Sequence, residues 1–146
     1  MRKANTRYKV VIDSNIWVSL LIGKQLKGLN KLLHDELIQI VFCDEQIAEL
    51  IEVLSRPKFR KYFSSEQVIE FFDLIEDVSV MVKLETEITS CRDKKDNYLL
   101  SATIDSKADF LVTGDNDLLE IKNIRYAKII DFNDFQNLIQ KINSRI

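Results

Sequence analysis

Proline occurs once and glycine three times in the 146 residues, so the two strongest chain breakers are scarce. No run rich in Gly, Ser, Pro or charge divides the chain, and no internal repeat is visible. A chain of this length fills one core but not two, and the sequence reads as a single domain over residues 1–146. Histidine occurs once, as His34, and cysteine twice, as Cys43 and Cys91; their spacing matches no zinc-ligand pattern, and the three together do not complete a tetrahedral site. Both thiols are expected to be reduced and structural. Long apolar runs are missing: residues 16–22 form one of the longest, against the ~20 residues a membrane helix needs. The polar stretch 1–9 has no hydrophobic signal core behind it, so a soluble, cytoplasmic protein without membrane contact is expected. An excess of one charge is missing too. Lys and Arg number 21 against 23 Asp and Glu, a net charge of -2, which argues against coating nucleic acid by bulk electrostatics and still permits a local basic patch.

What is present is a regular alternation of β-rich and helical segments. Residues 8–12 form an apolar, β-branched run that suits a central strand buried on both faces of a parallel sheet, and it stops at Asp13. The segment from Asn15 reads as helical, interrupted over 24–28, before a second strand at 38–42. Asp44 is placed to cap a helix whose Ile47, Leu50, Ile51 and Leu54 make one apolar stripe, and Pro57 breaks the chain after it. Ser64 and Gln67 have the spacing of a capping box for the next helix, with Val68, Phe71, Phe72 and Ile75 inward. Strands are expected at 78–84, 110–113 and 126–130, a helix at 97–107, and a closing helix capped by Asp131 or Asn133 with Phe135, Leu138, Ile139 and Ile142 inward. Strands separated by helices imply right-handed parallel crossovers. The expected fold is a three-layer α/β/α sandwich around a mainly parallel, doubly wound sheet of five strands.

In such sheets ligands bind beyond the carboxyl ends of the strands, where strand order reverses, and two expected strands run directly into Asp13 and Asp115. Taken singly, each is better explained as a turn or helix-start residue accepting backbone N–H bonds. Asp93 and Asp96 are natural N-caps for the helix that follows. Glu49 shares the polar face of its helix with Glu45 and Glu52, so spacing alone makes it a solvated surface residue. The fold changes the odds, because it gathers strand ends and helix starts on one edge. Carboxylates converging there would repel unless a cation lay among them. Oxygen ligands without His or Cys suit Mg²⁺ or Mn²⁺, whose usual partners are phosphates, and phosphodiester hydrolysis is the chemistry this implies.

Five segments in order are similar to PIN-domain nucleases, especially their bacterial toxin-like branch. They are Val10 to Ser19 with its Asp-Ser-Asn, the helix running from Glu49 to Phe59, Arg92 to Asn97 with the apolar helix after it, Ala108 to Leu119 around Thr113-Gly114-Asp115, and Ile129 to Phe135. The Thr-Gly-Asp core is the most specific. Ser14 and Lys94 depart from the family's common Thr and Pro, and neither departure removes an acid. The resemblance implies a Mg²⁺- or Mn²⁺-dependent endoribonuclease whose metal-binding acids are Asp13, Glu49, Asp96 and Asp115, with Asp117 and Asp93 as outer or alternative ligands. Asn15, Thr113 and Ser14 would orient water or carboxylates around them. It also implies single-stranded RNA as substrate, a toxin role, a small antitoxin partner and a homodimer.

Arg56, Lys58, Arg60 and Lys61 crowd around Pro57 with Phe59, Tyr62 and Phe63 between them. A solvated helix end over core aromatics is the simpler reading. If the segment flanks the acidic edge, it can hold an RNA backbone by charge while a ring stacks on a base. Two rivals remain. A PIN-like protein-binding module without catalysis would keep the fold and lose the chemistry. A phosphatase or phosphotransfer domain with an aspartate nucleophile would want a second acid two residues after Asp13, where Asn15 stands.

Overall fold

Residues 7–23, 31–89 and 94–145 are described by the computed structural model. Strand β1 (Tyr8–Ile12) is followed by α1 (Ser14–Ile22), β2 (Ile38–Phe42), α2 (Asp44–Leu54), a 3-10 turn at Pro57–Phe59 and α3 (Ser65–Val78). Then come β3 (Ser79–Met81), α4 (Lys94–Asp105), β4 (Phe110–Val112), the single turn α5 (Asn116–Leu119), β5 (Asn123–Ile124), β6 (Ala127–Ile130) and α6 (Phe132–Asn143). The strands form one sheet in the order β3-β2-β1-β4-β6-β5. Every neighbouring pair is parallel except β5 with β6. The order reverses between β1, which pairs with β2 on one side, and β4 on the other. That junction is the switch point of a doubly wound sheet.

Successive residues of β1 point to opposite faces, and the core divides accordingly. Val10 and Ile12 join Trp17, Phe42, Leu50, Phe71, Phe110 and Phe135 in one cluster, bringing α1, α2, α3 and α6 to that face. Val11 joins Val41, Leu111, Ile129 and the α4 residues Leu99, Leu100 and Ala102 in the other. A strand covered on both faces has no use for polar alternation, which is why β1 reads as an almost unbroken apolar run, with only Lys9 near its start polar and exposed. Trp17 anchors the larger cluster, its ring 5.4 Å from Phe42 and 6.0 Å from Phe71.

Several local expectations shift. The sheet has six strands rather than five, because the chain between β4 and β6 forms a two-residue antiparallel strand, too short to carry a periodic signal. The expected strand at 78–84 is shortened to Ser79–Met81, with the Val82 N–H adding one bond to the Phe42 carbonyl: Val78 belongs to α3, and the Ser79 hydroxyl donates to the Ile75 carbonyl at the helix end. Cys43, not Asp44, is the residue before α2. Ile51 leaves the apolar stripe and is 51% exposed; it follows Leu50 by about 100° around the helix, and Gln46 fills the inward register instead. The helix expected from residue 97 begins at Lys94, which puts Asp96 inside its first turn rather than at the cap. The Ser64–Gln67 capping box forms as expected, and Asp131 caps α6 by accepting from the Asp134 N–H. The interruption at 24–28 lies outside the described residues.

The end of α4 is tied to the chain after β3 by Asp105. Its carboxylate accepts from the Thr86 hydroxyl and from the backbone N–H groups of Glu85 and Thr86. Burial alone would raise the Asp105 carboxyl, yet these three donors outweigh it and hold the group below its ordinary value. A carboxylate depressed in the folded state stabilises the fold above its unfolded value, and that stabilisation is lost as pH falls through the folded one. Asp105→Ala should therefore cost stability at neutral pH, with the gap from wild type narrowing in urea melts carried below the usual carboxylate range. A gap that is constant with pH would show that the charge contributes nothing.

Candidate active site

Asp13 extends the pairing of β1 with β4 by one residue, its N–H donating to the Val112 carbonyl at 2.9 Å. Its side chain then turns inward. One carboxylate oxygen caps α1 by accepting from the Asn15 N–H at 3.1 Å, and the other accepts from the Thr113 hydroxyl at 2.8 Å. The cap reading of Asp13 is therefore right and incomplete, since a carboxylate offers about four lone-pair sites and two are used. The residue is 1% exposed, and among the described residues no Lys, Arg or His side chain bonds it. A buried carboxylate held by neutral donors alone is an expensive group to keep charged, and a cation would offset that cost.

Thr113 is fully buried and stands between the two strand-end aspartates. Its oxygen accepts from the Asp115 N–H at 3.1 Å while its hydrogen goes to Asp13. Asp115 is half-buried and caps α5 by accepting from the Asp117 N–H at 2.9 Å. Gly114 between them has no positive φ, and a Cβ built there would meet nothing within 4 Å. The turn itself does not demand glycine, so what Gly114 provides is open space at the mouth of the site.

Glu49 departs from its neighbours. Glu45 and Glu52 are exposed, whereas Glu49 is half-buried and accepts from the Tyr98 phenol of α4 at 2.7 Å. The same phenol lies 3.3 Å from the Ser14 hydroxyl, which in turn lies 3.3 Å from the Gln46 side-chain nitrogen. That nitrogen also donates to the Ile12 carbonyl at 2.5 Å. Burial pushes the Tyr98 phenol well above its usual range; the Ser14 bond works against this, and the bond and negative charge of Glu49 add to it. Burial likewise pushes the Cys43 thiol up to about 11, so near neutral pH it is no anionic donor and the available donors are oxygens. Asp96 is 1% exposed in the first turn of α4, a helix that packs against both β1 and β4.

The structure thus places Asp13, Thr113 and Asp115 in one hydrogen-bonded chain, and Ser14 and Glu49 in another, the two joined through the backbone at residues 13 and 14. The Asn15 and Asp117 side chains are exposed, and Asp93 lies outside the described residues. Among the described residues no three acids, histidines or cysteines are grouped closely enough to hold a metal ion. The donor chemistry nevertheless fits a hard divalent cation: carboxylate and hydroxyl oxygens, with one carboxylate buried and lacking a cationic partner.

The basic segment is partly committed to its own neighbours. Arg56 forms a two-pronged ion pair with Glu52, at 2.8 and 3.1 Å, while the Lys58 and Lys61 ammonium groups lie 5.1 Å from the ring centres of Phe59 and Tyr62. Arg60 lines a groove of about 590 Å³ with Leu54, Phe63, Val68 and Ile69.

Gln46 and Tyr98 did not stand out in the sequence. Gln46 had a signal, since it precedes Leu50 and Leu54 by four and eight residues and so shares their buried face. Tyr98 had none, as its partners lie on elements remote in sequence.

No helix among the described residues is long and apolar enough to cross a membrane. A protein of Methanocaldococcus jannaschii, named "Uncharacterized protein MJ1680", is 32% identical to this chain over 127 residues, covering 84% of this chain and 81% of its own. The PIN domain family model matches residues 9–117, a span that opens with β1 and reaches just past the Asp115 cap. The chain therefore belongs to the PIN domain family, whose members are generally nucleases and typically use divalent metal ions.

Proposed function

We propose that this chain is a Mg²⁺- or Mn²⁺-dependent endoribonuclease that hydrolyses phosphodiester bonds in single-stranded RNA. Asp13, Glu49, Asp96 and Asp115 are its metal-binding acids, with Asp117 and Asp93 as outer ligands. The observation that carries this reading is the buried Asp13 carboxylate at the switch point of the sheet, bonded only by an amide and a hydroxyl. When bound, the divalent ion supplies activation of a water and charge stabilisation at the leaving oxygen. The chain's own residues supply position. Thr113 and the Asn15 amide fix both oxygens of Asp13, Tyr98 fixes Glu49, and the space beside Gly114 leaves room for a backbone phosphate to approach. RNA as the substrate, a toxin role, a small antitoxin that covers the site, and a homodimer are supported by the resemblance to the toxin-like branch. Arg60, Lys58 and Lys61, with Arg56 behind them, are the groups available to hold the strand by charge.

The competing reading is a PIN-like module that binds protein and has lost catalysis. One experiment separates the two. Cleavage of single-stranded RNA should appear with Mg²⁺ or Mn²⁺ and stop in chelator. Asp13→Asn, which keeps the cap acceptor and deletes the charge, should lower the rate by about a hundredfold or more with the fold intact. Cleavage by that variant at the wild-type rate would remove Asp13 from the chemistry.

Metal should also raise the melting temperature, by the equivalent of roughly 2.7 kcal/mol at a hundred times its dissociation constant. A melting temperature that ignores both ions would favour the binding module. Reversing the charges of Arg56, Lys58 and Arg60 together should weaken RNA binding, most strongly at low salt, and leave the metal midpoint in place. Since Arg56 is already paired with Glu52, Arg60→Glu alone should account for more of the loss than Arg56→Glu. Equal RNA affinity for the triple variant and wild type at low salt would rule the segment out as a substrate contact.

A further inference from the structure

Glu49 sits on a helix surface where an unassisted glutamate would sample several rotamers, and its neighbour Glu52 turns instead to an exposed ion pair with Arg56. One bond sets it apart, the 2.7 Å contact from the Tyr98 phenol. A phenol has a single hydrogen, and here it goes to Glu49, so the 3.3 Å contact with Ser14 must be made by the Ser14 hydroxyl donating to the phenol oxygen. Ser14 then accepts at its own oxygen from Gln46, whose nitrogen also donates to the Ile12 carbonyl. The donors run one way from Gln46 through Ser14 and Tyr98 to the Glu49 carboxylate. Gln46 is itself anchored on the carbonyl of Ile12, the last residue of β1, immediately before Asp13.

We infer that Tyr98 is a positioning residue for Glu49, and that the series Gln46, Ser14, Tyr98 sets where the Glu49 carboxylate stands relative to Asp13. This rests on the reading of Glu49 and Asp13 as metal ligands. The two acids belong to different elements, α2 and the end of β1, and this series refers both to residues 12–14. The role resides in the hydroxyl alone. The Tyr98 ring packs against the α4-side core cluster, and phenylalanine would keep that contact while releasing Glu49. Partners of this kind behind a metal ligand typically change metal affinity by about 10- to 100-fold.

The test uses the full chain and Mn²⁺ alone as the probe, with the metal midpoint read from melting temperature and, separately, from cleavage of single-stranded RNA. Tyr98→Phe should melt close to wild type in chelator and raise the Mn²⁺ midpoint about tenfold by both readouts. At saturating Mn²⁺ its cleavage rate should return close to the wild-type value. A residue that only supports the fold would lower the chelator melt and leave the midpoint in place. Glu49→Gln should raise the midpoint at least as far, and adding Tyr98→Phe to it should change nothing more, because Tyr98 acts on the metal only through the Glu49 carboxylate that Gln no longer supplies. A wild-type midpoint for Tyr98→Phe, beside raised midpoints for Glu49→Gln and Asp13→Asn, would overturn the positioning role and leave the metal reading standing. Wild-type midpoints for all three would overturn the metal reading, and this inference with it. Should Tyr98→Phe fail to fold, Ser14→Ala removes the next hydroxyl in the series. It should raise the midpoint in the same direction by a smaller factor, and an unchanged midpoint there would also overturn the inference.

Discussion

The hydrogen-bonded residues described at the carboxyl edge of this sheet are arranged around one buried carboxylate, that of Asp13. Asp13 is placed by the ladder between β1 and β4, which its own N–H extends, so its backbone is as rigid as the centre of the sheet. Its side chain is then held from two directions, by the start of α1 and by the end of β4. Either bond alone would leave one carboxylate oxygen free to rotate about the other. Together they fix the plane of the group, and the rest of the site is hung from it: Thr113 passes the constraint to Asp115, and residues 12–14 pass it through Gln46 and Ser14 to Tyr98 and Glu49.

This arrangement explains why two readings of the same residues need not compete. Asp13 and Asp115 are helix caps, as isolated aspartates after strands usually are. Capping orients a carboxylate by using one of its lone pairs, and it leaves the others to further partners. The doubly wound sheet places two such caps after adjacent strands at the point where strand order reverses.

The layers, the parallel sheet and the two strand-end aspartates were legible in the sequence, because each leaves a local trace: an apolar run without alternation, a helix-length spacer, an acid where the run stops. The capping box of α3 was legible for the same reason. What was not legible depends on register or on distant partners. The two residues of β5 are too few for any period. Ile51 has the right chemistry for the core and the wrong angle on its helix, and Gln46 has the right angle and the wrong chemistry. Glu49 could be told from Glu45 and Glu52 only through the family resemblance, since what distinguishes it is a hydroxyl arriving from 49 residues away. Tyr98 was invisible until the chain was folded.

The lengths of the outermost strands carry a consequence for how this molecule meets copies of itself. The sheet ends in β3, three residues long with Val80 and Met81 turned outward to solvent, and in β5, two residues long. A bare strand border is a template on which a foreign strand can nucleate, and its danger grows with the number of consecutive amide and carbonyl groups on offer. Neither border here presents enough of them to seed a growing ribbon. The apolar side chains of β3 are therefore tolerable where the same residues on a longer strand would invite fibril-like stacking. Among the described residues, both margins of the sheet are too short to favour its lateral growth.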